Sequence, residues 1–281
     1  MATPPSPAPA AAPPTPPAAA PKPPAAAAPP PKPAAPPPPR AGAAQDVGVV
    51  RHDALHVERW TVAGTTKVIA EADAGHVEIR GTVAIGGAFS ADDARAVGSL
   101  DVGGPVTVRG ALFVDGTLGV RSPLHAGGLE LRGSARCAGD VRADAELTVR
   151  GSLHAPSLHA SSVLLRGSAE VPGDLEAGRV DAQFLSDSRL GRIRAGSVRL
   201  RGRLPTLVDR AFFRHTSVSV ERIDAEKVEL EAVHVAFVHA PEVVLGRGAS
   251  VGEVEGTIVR RRPSSHVGPE SKSSPPYGLR R

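Results

Sequence analysis

The run Leu129-Glu130-Leu131-Arg132-Gly133-Ser134-Ala135-Arg136-Cys137-Ala138-Gly139-Asp140-Val141-Arg142-Ala143-Asp144-Ala145-Glu146-Leu147-Thr148-Val149-Arg150-Gly151 decides the fold. Apolar and polar residues alternate for four or five positions, stop at a glycine, and start again. Alternation with period two marks short strands that bury one face. Glycine supplies the corner where the chain turns into the next strand.

The same phrase recurs outward from this run. Val77-Glu78-Ile79-Arg80-Gly81 and Val106-Thr107-Val108-Arg109-Gly110 precede it; Val163-Leu164-Leu165-Arg166-Gly167 and Val198-Arg199-Leu200-Arg201-Gly202 follow. The later glycines are 18, 16 and 35 residues apart, a period near 17. That period fits three strands of five or six residues, one coil of a triangular β-solenoid. Roughly 12 coils at about 4.8 Å each are expected, a rod of about 55–60 Å. Small aliphatic residues should fill the axis, in keeping with an aromatic content of 3%. Aromatic rings are expected not to fit so narrow an interior.

The chain has 281 residues, and its ends differ in composition from its middle. Of 29 prolines, 19 lie in the first 40 residues. Residues 1–45 read as a disordered, partly polyproline-II arm of charge +3, including Lys22, Lys32 and Arg40. Residues 259–281, with Arg260, Arg261 and Arg262, read as a disordered basic tail of charge +5. The rod, residues 46–258, sums to −4, so the basic balance belongs to the ends and no nucleic-acid partner is expected. Two interruptions are expected, at about 86–95 (Gly86-Gly87-Ala88-Phe89) and at 204–216, where Leu204, Leu207, Val208, Ala211 and Phe212 have helical spacing.

One cysteine, Cys137, excludes an internal disulfide framework and a cysteine-based zinc site. No stretch approaches 18 apolar residues, and the first residues lack a signal-like basic and leucine-rich run. A cytoplasmic protein is expected.

The segments 98–116, 129–153 and 164–180, with a further likeness over 223–257, resemble the bactofilin family of polymer-forming cytoskeletal proteins. The resemblance implies an all-β, right-handed β-helix with disordered tails. It also implies end-to-end, nucleotide-independent assembly with itself and a scaffolding role, without cofactor or catalytic residues. This chain differs in its longer, interrupted core.

A solenoid end exposes unpaired backbone and apolar interior, so each end needs a cap or a partner. The candidate end-to-end contacts are Val251, Val254 and Ile258 at one end and Trp60 and Val62 at the other. The Pro-rich arm reads first as an entropic spacer, with docking of protein partners as the alternative, and the arginine triplet offers weak contact with anionic membrane.

Catalytic and metal constellations are poorly supported. His154/His159 and His234/His239 are five residues apart and fall on neighbouring faces. Asp92-Asp93 reads as a solvated turn, and Gly246-Arg247-Gly248 lacks the Lys-Ser/Thr of a phosphate loop. Hexapeptide acyltransferases repeat every six residues, polysaccharide lyases need carboxylate clusters and aromatic platforms, and adhesins need export signals. The corner arginines Arg80, Arg109, Arg132, Arg150, Arg166 and Arg201 read as a solvated ladder offset by nearby acids. The alternative to a polymerising scaffold is a capped, monomeric solenoid presenting its side faces to a protein or polysaccharide.

Overall fold

The computed structural model describes residues 40–203 and 217–268. Its strands are β1 (Ala41–His52), β2 (Leu55–Val68), β3 (Ala72–Ile85), β4 (Phe89–Val102), β5 (Val106–Val120), β6 (Leu124–Cys137) and β7 (Val141–His154). Then come β8 (Leu158–Phe184), β9 (Ser188–Arg201), β10 (Val218–Glu231), β11 (His234–Leu245), β12 (Ser250–Arg261) and β13 (His266–Val267). They form one 13-stranded sheet in sequential order, and every pair in it is parallel. Among the described residues no helix separates these sequential parallel strands, so the chain winds as a coil. The protein is a parallel β-solenoid.

In-register partners are one coil apart: Leu55 faces Ala72, Ala72 faces Phe89, and Phe89 faces Val106. Within β3 the buried side chains come in three pairs, Ala72/Ala74, Val77/Ile79 and Val83/Ile85, with Gly75 also buried beside the first. Each pair lines one of three faces, so the period-two alternation of the sequence becomes a three-sided core. Ala74, Ala91, Ala126, Ala143 and Ala160 stand in one inward column with Val57 and Val108. Small side chains there let three walls close on one axis.

The corner between the second and third faces is a stack of glycines. Gly64, Gly81, Gly98, Gly116, Gly133, Gly151 and Gly167 are in register, with φ between 127° and 143°. A Cβ at any of them would strike the backbone of the glycine one coil below. Both the dihedral and the close approach therefore require glycine.

This register corrects part of the sequence reading. Gly110 does not stand in the corner column; its backbone packs on the Asp93 side chain, and Gly116 takes the corner. Arg80, Arg132, Arg150 and Arg166 share the column before the glycines, whereas Arg109 lies outside it. Gly86-Gly87 is no interruption. It is the turn between β3 and β4, repeated one coil on at Gly103-Gly104 and bonded to it through Gly104 N–H and Gly87 O at 2.9 Å. Phe89, expected in a break, begins β4 with no exposure.

The rod is also longer than 46–258 at both ends, since residues 41–45 belong to β1 and 259–261 to β12. The segment 204–216, expected to hold a helix or loop, lies outside the described residues. The coils flanking it stack directly, from Ser188 against Val218 to Arg201 against Glu231. Aromatic rings do enter the core: Trp60, Phe89 and Phe184 are fully buried. Trp60 fits because its neighbour in the first coil is Ala44.

Candidate assembly site

At the N-terminal end, β1 lies over β2 and seals it. Trp60 pairs with Ala44 and Val62 with Asp46, and both Trp60 and Val62 have no exposure. They are core residues of the second coil and cannot themselves contact another molecule; the packed role is the one the sequence favoured for Trp60, and the contact role offered for Trp60 and Val62 is ruled out. The terminal coil instead points Ala44 and Asp46 into the axis.

Asp46 occupies an inward position that is apolar in later coils, with Val62 and Ile79 above it. Its side chain is 5% exposed. Such a carboxylate must be fully hydrogen-bonded. Trp60 Nε1–H donates to Oδ2 at 3.0 Å, Thr66 Oγ1–H donates to the same oxygen at 3.2 Å, and His52 Nε2 lies 3.0 Å from both oxygens. This polar plug closes the axis. Sequence reasoning missed it, although its signal was present: the alternation of β1 places an acid where the repeat places Val or Ile.

Arg40, assigned from sequence to a free basic arm, is a clamp on the rod. Its guanidinium donates to Asp73 at 2.8 and 3.0 Å and to Asp92 at 2.7 Å, bridging β3 and β4. The hydrogen bonds from Arg40 hold the Asp73 carboxyl below the usual carboxylate range. Arg109 Nε lies 3.1 Å from the other oxygen of Asp92, close enough for an ion pair but not aligned as a hydrogen bond. Asp92 is thus an ion-pair centre where the sequence suggested a solvated turn. Asp93 accepts a hydrogen bond from Ala111 N–H at 3.0 Å. Lys22 and Lys32 lie outside the described residues.

The C-terminal end is built differently. Val251 is buried beneath Val267 of β13 and is core. Val254, on Val238, is only partly covered, and Ile258, on Val243, is 36% exposed. Val259 beside it is 62% exposed. Arg260 and Arg261 are in β12, and Arg262 N–H bonds to Leu245 O at 3.0 Å, so the triplet is the rim of the last coil and not a loose tail. Arg261 stands over inward Leu245. Among the described residues, β12 has an outer neighbour only at Ser250 and Val251. Gly252 to Arg261 therefore form an open parallel edge with apolar side chains at the axis.

The two ends match by register. Following the inward columns through the rod, Gly256 of the last coil is in the column that begins at Ala41, Ile258 in that of Ala44, and Arg261 in that of Asp46. Laying a first coil on a last coil would set Ala44 against Ile258 and the Asp46 carboxylate against the Arg261 guanidinium.

The histidine pairs do not converge. His154 Nδ1 meets Glu170 at 2.9 Å, and His159 Nδ1 meets Glu176 at 3.2 Å. His239 Nδ1 meets Glu255 at 3.0 Å. Among the described residues, no group of three His, Cys, Asp or Glu side chains is placed to hold a metal ion. Cys137 is buried, and burial pushes its thiol up to about 11. A groove along the third face is lined by the stacked hydroxyls of Ser99, Thr117, Ser134, Ser152 and Ser168.

No family model, curated protein or solved structure matches the chain. The likeness to bactofilins rests on the sequence motifs alone.

Proposed function

We propose that this protein is a non-enzymatic structural scaffold of bactofilin type, assembling end to end without nucleotide. The observation that supports it is the last coil: among the described residues an open strand edge with Val254, Ile258 and Val259 uncovered, whose inward columns match those of the first coil. Strand addition would satisfy the edge backbone and bury those side chains. A contact between two different ends repeats along the axis without closing, which gives a filament. The Arg261–Asp46 pairing at the axis would set register, because slipping the strand by one position would turn apolar residues outward. The scaffold operates in the cytoplasm, and its Pro-rich arm, with Lys22 and Lys32, recruits protein partners.

Electron microscopy of the full chain at several salt concentrations tests this reading. Filaments are expected without nucleotide, and Val254→Arg or Arg261→Glu should abolish them while leaving the β-rich circular dichroism spectrum intact. Unchanged filaments in both variants would remove the last coil from the contact.

A second reading is favoured by the Asp46 plug, which already covers the apolar axis at the N-terminal end from within. Under it the protein is a monomeric rod binding a protein or polysaccharide through its side faces. Single rods at every salt concentration would establish that reading in place of the first.

A further inference from the structure

The edge between the second and third faces carries three Arg-Gly-Ser triplets on consecutive coils: Arg132-Gly133-Ser134, Arg150-Gly151-Ser152 and Arg166-Gly167-Ser168. The glycine corner brings each guanidinium and hydroxyl to the same line, one rung of about 4.8 Å apart. Arg132 is held by Glu130 at 2.8 Å. Among the described residues, neither the Arg150 nor the Arg166 side chain has an ion-pair or hydrogen-bond partner. Like charges one rung apart repel each other, and among the described residues no acid pairs with either. Elsewhere on the rod Arg80, Arg109, Arg121, Arg142, Arg192, Arg194, Arg199 and Arg222 are each paired with a carboxylate. Arg51, Arg59, Arg136, Arg201 and Arg247 have no ion pair among the described residues, but none of them shares a column with another unpaired arginine on the next coil as Arg150 and Arg166 do.

The same edge collects exposed apolar side chains. Val47 and Val97 stand in the arginine column, Val49 stands in the hydroxyl column, and Leu185 follows the glycine corner one coil above Gly167. They are 68%, 42%, 88% and 53% exposed, respectively. Phe113 lies beside them, with the guanidinium groups of Arg95 and Arg132 at 5.0 and 5.2 Å from its ring centroid. Arginines interleaved with Val, Leu and a single Phe on a straight edge form an amphipathic line.

We propose that this edge lies on an anionic lipid bilayer. The unpaired guanidiniums of Arg150 and Arg166 meet lipid phosphates, and the valines, Leu185 and Phe113 enter the headgroup boundary. A polynucleotide fits less well. It would call for several aromatic rings to stack bases, and exposed aliphatic side chains gain nothing from it. Asp115, one coil from Arg132 in the same column, leaves the Arg132–Arg166 stretch as the cationic part of the line. The sequence had directed membrane contact to Arg260–Arg262; the unpaired charge on the side of the rod moves it to this edge. The inference does not depend on end-to-end assembly.

Flotation of the full chain with vesicles separates the two, because vesicles rise in the gradient and protein polymers do not. Binding is expected to phosphatidylcholine vesicles containing phosphatidylglycerol, falling with added salt, and not to phosphatidylcholine alone. The double variant Arg150→Gln/Arg166→Gln should weaken partition roughly thirty-fold, at about tenfold per 1.4 kcal/mol and about 1 kcal/mol for each basic residue removed. Its melting temperature should match or exceed that of the wild type, since two repelling charges are gone. Arg121→Gln/Arg142→Gln, with the same change in net charge away from the edge, should bind like wild type. Equal loss in both pairs, retention in the first pair, or capture of duplex DNA in place of vesicles would each overturn the proposal.

Discussion

Replacing Gly151 by alanine tests the corner stack that makes the coil possible. Gly151 has φ of +140°, and a Cβ there would collide with the Gly133 carbonyl one coil below. The dihedral alone costs a residue with a Cβ about 1–3 kcal/mol. The collision adds to this, because the obstructing atom is backbone held in a ladder on both sides. The expected loss is therefore about 3 kcal/mol or more. For a folded unit of this size, that lowers the melting temperature by roughly 6–12 °C, at about 2–4 °C per kcal/mol. Gly128→Ala is the control: a Cβ at Gly128 meets only Glu146 O, at 3.8 Å, and its φ is not positive. Removing that glycine restricts the unfolded chain and should raise stability by about 0.4–1 kcal/mol. Thermal melts followed by circular dichroism at 218 nm, roughly the β-sheet minimum, read both. If Gly151→Ala melts with Gly128→Ala, the corner is not a close-packed glycine stack and the three-sided coil is wrong.

Two further perturbations follow from particular side chains. Arg40→Gln removes the hydrogen bonds that hold the Asp73 carboxyl below its usual range. A depressed carboxyl stabilises the fold above its unfolded value of about 3.9 and loses that contribution as pH falls through the folded value. The wild-type advantage over Arg40→Gln, about 2 kcal/mol at neutral pH, should therefore shrink below about pH 4. Fluorescence of Trp60, the only tryptophan, follows the terminal coils; a gap that does not narrow at all as pH falls below about 4 would refute the ion-pair assignment. Cys137 is 1% exposed with its thiol raised to about 11, so a thiol reagent at neutral pH should not label the native protein and should label it fully in denaturant. Rapid native labelling would place Cys137 outside the core.

The repeating part of the fold was legible because each coil repeats the same local choices. The alternation Leu147-Thr148-Val149 points side chains in and out by backbone geometry alone, and Gly151 marks a corner wherever φ must be positive. Other corners are chemically permissive. The turn after the third face is Gly86-Gly87 in one coil, Gly103-Gly104 in the next and Arg121-Ser122 in another, so no residue type announces it. That is why a regular turn read as an interruption. Charge was misleading at the ends for a different reason. Arg40 and Arg260–Arg262 look like solvated tail in sequence, but the ends of a solenoid are set by whether the strand finds a neighbouring rung. Asp46 carried a signal, an acid where the repeat places Val or Ile, but its partners Trp60, Thr66 and His52 meet it only through the coil.

The asymmetry of the two ends bears on how such a rod can be used. One end spends a buried carboxylate and three hydrogen bonds on sealing its axis, while the other leaves Ile258 and Val259 partly in water. A rod selected only to remain monomeric would gain from sealing both. Both terminal strands present an unpaired outer edge among the described residues, so the ends differ in what stands at the axis, a hydrogen-bonded carboxylate at one and apolar side chains at the other. One preformed, polar-lined end and one open, apolar end with Arg261 over its axis allow a single productive contact. In the proposed filament the first coil would act as the template on which the last coil adds. On this account the Asp46 plug and the open edge are two halves of one device: disrupting Asp46 should impair assembly even where the last coil is untouched, because the template itself loses its shape.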